Sequence, residues 1–447
     1  MATLPQVDKV VIVGAGVFGV STALSLRTTH PEIRTLLVDL ARGNRGAASS
    51  DHNKIIRSDY PDPIYMKLAL EAQEHWRSNP IFQPYYHECG MLFAEEIGMG
   101  RAAYANYKKL GVDFKAEIFS TEEAHSRFPV FDDANWTDVK ENFYNPQSGW
   151  GEADGAMASI TEAALAAGVE FVEAKAERLI LAADRSCLGV SVIFASGEKK
   201  DILAGKTVLS VGASTELFLA NTAPDWDDLQ VNGRMIAAGA IQCTAKYPAD
   251  QEEKLQKAPV HFLGMWHTHG ESIPPFKGLL KFNCEVSFTN MVHHAGLGRE
   301  ISVPPSTAAQ RTFSQDAPDG LKEEVANVVK NTYGAHVPGI EIQDYRMCWD
   351  AASPNQDFII DYHPKCGNLI IASAGSFHSW KFLPIIGNYV GQRIFGTLDD
   401  VLARKWAWDR TNVGAACEMY DPTRDMRTVG PFMGWPRAEG LADAAAV

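Results

Sequence analysis

A chain of 447 residues holds roughly three units of about 150 residues or two larger interleaved lobes, and its 46% hydrophobic and 21% charged residues exclude disordered, collagen-like and coiled-coil polypeptides. With 41 Lys+Arg against 55 Asp+Glu, the net charge of −14 repels phosphate backbones and anionic lipid surfaces, so nucleic acid is not an expected partner. No apolar run approaches the about 18 residues of a membrane span, which leaves a cytoplasmic protein as the expectation.

Residues 9–14, KVVIVG, form an apolar run too short for a helix, and helical spacing takes over from Ala15 to Leu26. A second apolar run, 35–38, ends at Asp39, completing a βαβ unit. Helical patterns follow at about 64–76, 155–167, 320–333 and 383–395. Strand-like runs lie at about 90–94, 169–173, 189–194, 206–211, 236–243, 278–284, 357–361 and 368–373. The runs 206–214 and 368–376 are apolar and end in small residues, which suits buried parallel strands meeting a ligand. The stretches 90–145 and 223–342, rich in Trp, Tyr and Pro, read as a second lobe.

Gly14-Ala15-Gly16-Val17-Phe18-Gly19 is a GxGxxG sequence placed where the first strand hands over to the first helix. The first glycine permits the tight turn, the second lets the backbone approach a pyrophosphate, and the third lets helix and strand pack closely. Asp39, at the end of the second strand, is placed to accept hydrogen bonds from ribose hydroxyls. A bound dinucleotide is the reading, and a βαβ unit at the very N-terminus with a late, separate glycine-containing strand favours FAD over NAD.

The segments VVIVGAGVFGVSTALSL, HNKIIRSDY (52–60), PYYHECG (84–90), KFNCEVSFTNM (281–291), RMCWDAASPNQDFIIDYHP (346–364) and SFHSWKFLPIIGNYV (376–390) together resemble the flavin amine-oxidase group of monomeric sarcosine oxidase, pipecolate oxidase and the fungal fructosyl-amino-acid oxidases, or amadoriases. The resemblance implies an α/β fold: a Rossmann-like FAD-binding domain of residues 1–89, 146–222 and 343–405, interleaved with an α+β substrate domain on a mixed sheet, 90–145 and 223–342. A C-terminal segment, 406–447, follows, with an Ala-rich end expected to fray. It also implies a monomer.

The same resemblance assigns site residues. Gly14, Gly16, Val17, Phe18, Gly19, Asp39, Lys54 and Lys381 would bind FAD, and Cys348 would carry it covalently through the flavin C8 methyl. That linkage needs a thiolate, which a neighbouring cation such as Arg346 favours. Lys281 and Glu285 match a KxxxE pattern in which the lysine stands near the flavin N5 and stabilises the anion formed as oxygen is reduced, while the glutamate faces the substrate amine or sugar. Arg57 and Lys381 match two cations that hold a substrate carboxylate, and His378 lines the same pocket. Without that context Cys348 would be a small buried hydrophobe and Lys281 an exposed strand lysine. The other cysteines (Cys89, Cys187, Cys243, Cys284, Cys366, Cys417) form no CxxC pair and keep that ordinary reading, so neither a disulfide framework nor a metal site is expected.

Two departures stand out. Asp350 occupies a place where the sarcosine-type pattern has an aromatic residue, so the carboxylate side of the pocket is expected to differ. The late arginine that amadoriases use is not alignable among Arg410, Arg424 and Arg427. The implied activity is an FAD-dependent oxidase that removes a hydride beside a secondary amine of an N-substituted or cyclic amino acid, giving an imine and H2O2, with oxygen and a small amino-acid-like amine as its partners. The alternatives are a biosynthetic oxidase whose imine closes a ring, and a flavin dehydrogenase with another acceptor. A peroxisomal location is the alternative to the cytoplasm, although the LADAAAV ending lacks the SKL-type address of peroxisomal oxidases.

Overall fold

Short apolar runs in this chain become the centre of two sheets. The computed structural model describes residues 8–43, 46–335, 337–410 and 424–430. The first sheet has six strands in the order Ile359–Tyr362, Leu369–Ser373, Lys206–Leu209, Lys9–Val13, Arg34–Asp39, Glu170–Glu173, all pairs parallel except the first. Strands such as Lys9–Val13 and Leu369–Ser373 are almost wholly buried, and their β-branched and Leu-rich composition meets covers on both faces. One cover is the helix Val17–Thr29, which packs against Ile386–Ile394 so closely that Gly387 leaves no room for a Cβ beside the Ser21 backbone.

The second sheet has eight strands, with Glu341–Ala352 at one edge beside Ile236–Lys246, Leu279–Cys284, Thr268–Phe276 and Val260–Met265, then Met91–Glu95, Glu141–Asn145 and Glu117–Ser120. Its pairs are antiparallel apart from Val260–Met265 with Met91–Glu95. The α/β class and mixed sheet expected from the sequence are present. Glu341–Ala352, which spans the expected boundary at 343, pairs entirely within this second sheet. Strands Asn53–Ile56 and Gly149–Glu152, together with Tyr86–His87, make a small third sheet beside the junction of the first two.

Six cysteines are free among the described residues, and Cys417 and the Ala-rich end lie outside them. No described helix is long and apolar enough to cross a membrane.

Candidate active site

The turn after the first strand is shaped by what glycine lacks. Gly14 has φ +99°, and a Cβ on it would collide with the Ser210 carbonyl; a Cβ on Gly19 would collide with the Gly14 carbonyl. Strand and helix therefore close on each other, with Gly14 N donating to Val38 O at 2.8 Å. Gly16 differs: its nearest neighbour would be Ser49 Oγ at 3.7 Å, so this face of the turn is open. The helix Val17–Thr29 begins there with no side-chain cap and no acidic residue in its first turn, so its first N–H groups are free to meet an anion. Asp39 is fixed by the same turn, accepting from Ala15 N and Leu40 N, each at 2.6 Å.

A cavity of about 660 Å³ joins this turn to the second sheet, its walls including Gly14, Gly16, Asp39, Lys281, Cys348 and Lys381. Val17, Phe18, Lys54, Arg57, Glu285 and His378 line it too, so the structure brings together every expected site residue except Gly19, which packs behind the turn.

The sheet wall is polar because side chains alternate along the strand Leu279–Cys284. Lys281, Asn283 and, just past the strand, Glu285 line the cavity, Leu280 and Phe282 belong to the apolar cluster behind, and Cys284 joins that cluster while also reaching the cavity wall. Arg346, Gln242, Asn283 and Glu271 stand opposite one another on four adjacent strands, forming one row across the sheet. Cys348, 4% exposed, lies two residues beyond Arg346 on the same face.

A single carboxylate organises the cations below this wall. The fully buried Asp51 Oδ2 receives Lys281 Nζ at 2.7 Å, Lys54 Nζ at 3.1 Å and Arg346 Nη1 at 3.5 Å. Burial alone would raise the Asp51 carboxyl, but the three cations override it and hold it far below the usual carboxylate range. Lys281 also donates to Asn53 O at 2.8 Å; burial pushes its ammonium down to about 8 despite Asp51. Arg346 is committed elsewhere, to Asp51 and to the carbonyls of Ser50, Ala47 and Arg311. Lys54 stands within electrostatic range of Cys348, and its own pKa rises because Asp51 and then Cys348 outweigh its burial.

At the other end, Lys381, 6% exposed, donates to Tyr60 Oη and His378 O, both at 3.0 Å. His378 Nε2 donates to Gln356 O at 2.8 Å, which leaves Nδ1 to accept from Tyr60 Oη at 3.1 Å. Burial and Lys381 push His378 down to about 3, so it is neutral and its tautomer is fixed. Arg57 lies over the Tyr60 ring at 4.7 Å and donates to Asp59 O. Burial and then Arg57 press the Lys381 ammonium well below its usual value, and Glu271 and Glu285 pull it back.

These groups sit on a strained turn. Ala374, Ser376 and Phe377 adopt φ of 60°, 48° and 62°, unusual for residues with a Cβ. Asp350 fastens it, with Oδ2 accepting from Phe377 N at 2.9 Å and Oδ1 from Ala351 N at 2.8 Å. Asp350 thus reaches the cavity as a clamp for the turn that carries His378 and Lys381, where the sequence had suggested an altered carboxylate contact.

The late arginines do not line the cavity: Arg410 caps the carbonyls of Phe358, Asp357 and Lys405, Arg424 pairs with Glu324, and Arg427 pairs with Asp425. The sequence reading missed Asp51, Asn53, Gln242, Glu271 and Asn283. For Asn283 the signal was available in the alternation of 279–285; for the rest it needed the cross-strand register.

A family model described as FAD dependent oxidoreductase matches residues 9–393. The chain belongs to this FAD dependent oxidoreductase family. It is similar to L-saccharopine oxidase of Schizosaccharomyces pombe, 27% identical over 429 residues that cover 89% of this chain and 92% of that protein. It is also similar to monomeric sarcosine oxidase of a Bacillus species, 24% identical over 400 residues covering 86% and 92%. Among solved structures, a modified fructosyl peptide oxidase from Aspergillus nidulans superposes with a TM-score of 0.80 at 24% identity over 96% of this chain and 99% of that one.

The cavity fits the family's cofactor. The open face at Gly16, the unsatisfied helix start and the anchored Asp39 suit a pyrophosphate and ribose, and the cavity continues to Cys348 without a break. This family member is therefore an FAD-dependent oxidoreductase.

Proposed function

We propose that the enzyme is an oxidase of N-substituted or cyclic amino acids, acting on the carbon beside the secondary amine and using oxygen to give an imine and H2O2. The supporting observation is the meeting in one cavity of a buried lysine, Lys281, with two further cations, Arg57 and Lys381, and with Cys348. FAD, when bound, supplies the acceptor for the hydride.

The chain's own residues do the rest. Arg57 and Lys381 hold the substrate carboxylate, Arg through its planar fork and Lys as a point charge. Neutral His378 keeps Tyr60 and Lys381 in place. Lys281, tethered by Asp51, keeps a positive charge at Nζ where oxygen becomes an anion, a preorganised electrostatic contribution. A dehydrogenase with another acceptor has no use for that charge. Cys348, beside Lys54, provides the sulfur for covalent attachment of FAD. In this reading residues 1–89, 146–222 and 343–405 make the FAD-binding part and 90–145 with 223–342 the substrate part, the strand Glu341–Ala352 being shared by both.

The test is flavin bleaching under nitrogen by N-methyl, cyclic and N-fructosyl amino acids, followed by reoxidation in air. Bleaching by at least one class is expected, and none by any would overturn the reading. Acid-precipitated protein keeps its yellow colour, and Cys348→Ala releases it.

A further inference from the structure

The Glu271 side of the cavity carries groups to which the proposed chemistry gives no role. Glu271 and Glu285 share a hydrogen bond there, and Asn283 Nδ2 donates to Glu271 Oε2 at 2.9 Å. Two half-buried carboxyls that share a hydrogen bond do not both ionise. Burial and Glu285 push Glu271 up to about 8, so at neutral pH the pair keeps one proton and one negative charge.

Two adjacent carboxyls alone would mark nothing. The independent observation is Gln242, 6% exposed, in the same cavity-lining row, whose Oε1 has no hydrogen-bond partner among the described residues; Asn283 Oδ1 is in the same condition. A buried acceptor without a donor is costly unless a ligand supplies one. The patch thus offers acceptors and one net negative charge. A polyol could donate hydrogen bonds to it but would leave that charge to Arg57 and Lys381, the cations assigned to the substrate carboxylate, whereas a singly charged nitrogen donates hydrogen bonds and meets the charge. Glu271 and Glu285 also lie within electrostatic range of Lys381, and Glu271 within range of Arg57, so one small molecule can meet both ends.

We propose that Glu271, Glu285, Asn283 and Gln242 form a subsite for a second, positively charged nitrogen, so that the preferred substrates are amino acids bearing a basic group besides the amine that is oxidised. This rests on the reading of Arg57 and Lys381 as the carboxylate end.

The experiment measures binding to the holoenzyme, by calorimetry or flavin absorbance shift, of L-lysine and L-ornithine against their neutral isosteres L-2-aminoheptanoic acid and L-norleucine. The basic ligands bind tighter by about 30-fold or more, the scale for a buried charge pair, and both Glu271→Gln and Glu285→Gln bring the ratio close to one. A merely structural role would weaken both ligands alike and leave the ratio unchanged. Equal binding in the wild type, no measurable binding of lysine, or a ratio that survives in both folded variants would overturn the proposal. Bleaching by neutral N-methyl amino acids is unaffected by any of these outcomes, so a failure here is distinguishable from a failure of the oxidase reading.

Discussion

The turn at Gly14–Gly19 and the charged wall around Asp51 enclose the same cavity and are built on opposite principles. The turn is continuous in sequence and works through backbone, its glycines mattering for atoms they lack. The wall is assembled from residues far apart in sequence, Asp51, Lys54, Lys281 and Arg346, and works through side-chain charge. The first has no room for an added atom at its closed points; the second sets three cations on one carboxylate.

The largest effect should follow from breaking the wall at its one anion. Asp51→Ala leaves three cations facing one another out of water, and breaking a buried pair of this kind costs about 3–5 kcal/mol. Urea unfolding monitored by fluorescence gives the value. A loss within the range of a surface substitution would mean that the wall is held by packing and not by charge.

Lys281→Met keeps most of the volume and removes the charge. Reoxidation by air should slow by roughly 10²–10³, with reduction by substrate little changed, as stopped-flow absorbance of each half-reaction will show. The wild type carries a matching pH signature. Burial sets Lys281 near 8, so its charge is present below that value and is lost as pH rises through it, and the reoxidation rate should fall in the same window. Because the unfolded lysine keeps its proton up to about 10.5, stability should rise with pH between those two values. Asp51→Asn removes the partner that favours the charged form, and the fall in reoxidation should move to lower pH.

Lys381→Met tests the other cationic end. Binding of carboxylate inhibitors should weaken by about 2–4 kcal/mol, measured by flavin absorbance titration, and decarboxylated analogues should be indifferent. Equal loss for both ligands would make Lys381 a support for Tyr60 and His378 only.

What was legible in the sequence divides along the same line. The GxGxxG turn, Asp39 and the parallel strands 206–209 and 369–373 could be read because each is local: a glycine pattern, a strand end, an apolar run. Cys348, Lys281 and Lys381 were found by resemblance, and their meeting in one cavity follows from two sheets that no local pattern specifies. Asp51 and Glu271 were not found, because a carboxylate beside a loop or in a strand looks solvated until the register sets it against cations or a second carboxylate. Arg346 shows the same limit: adjacency along the strand suggested Cys348 as its neighbour, and only the fold shows that its hydrogen bonds go to three carbonyls and its ion pair to Asp51.

The turn can be broken as well, with smaller effect. Gly19→Ala forces a Cβ against the Gly14 carbonyl, a backbone atom that cannot step aside. Overpacking of this kind costs about 1–3 kcal/mol, and thermal unfolding should register it together with loss of bound flavin.

Gly16→Ala makes the sharper contrast, since it should change stability least of all. Gly16 has φ −74°, which alanine adopts freely, and the new methyl would find only Ser49 Oγ at 3.7 Å. Glycine is preferred to alanine at a helix N-cap by less than about 1 kcal/mol, so the unfolding midpoint should move less than for Gly19→Ala. The methyl would nevertheless stand in the open space before the helix start, where a pyrophosphate must approach the backbone. Flavin content of the purified protein, read from its visible absorbance, should therefore fall while the fold is kept. If Gly16→Ala retains full flavin, the open face at this turn is spare room and the phosphate contact lies elsewhere along the helix start.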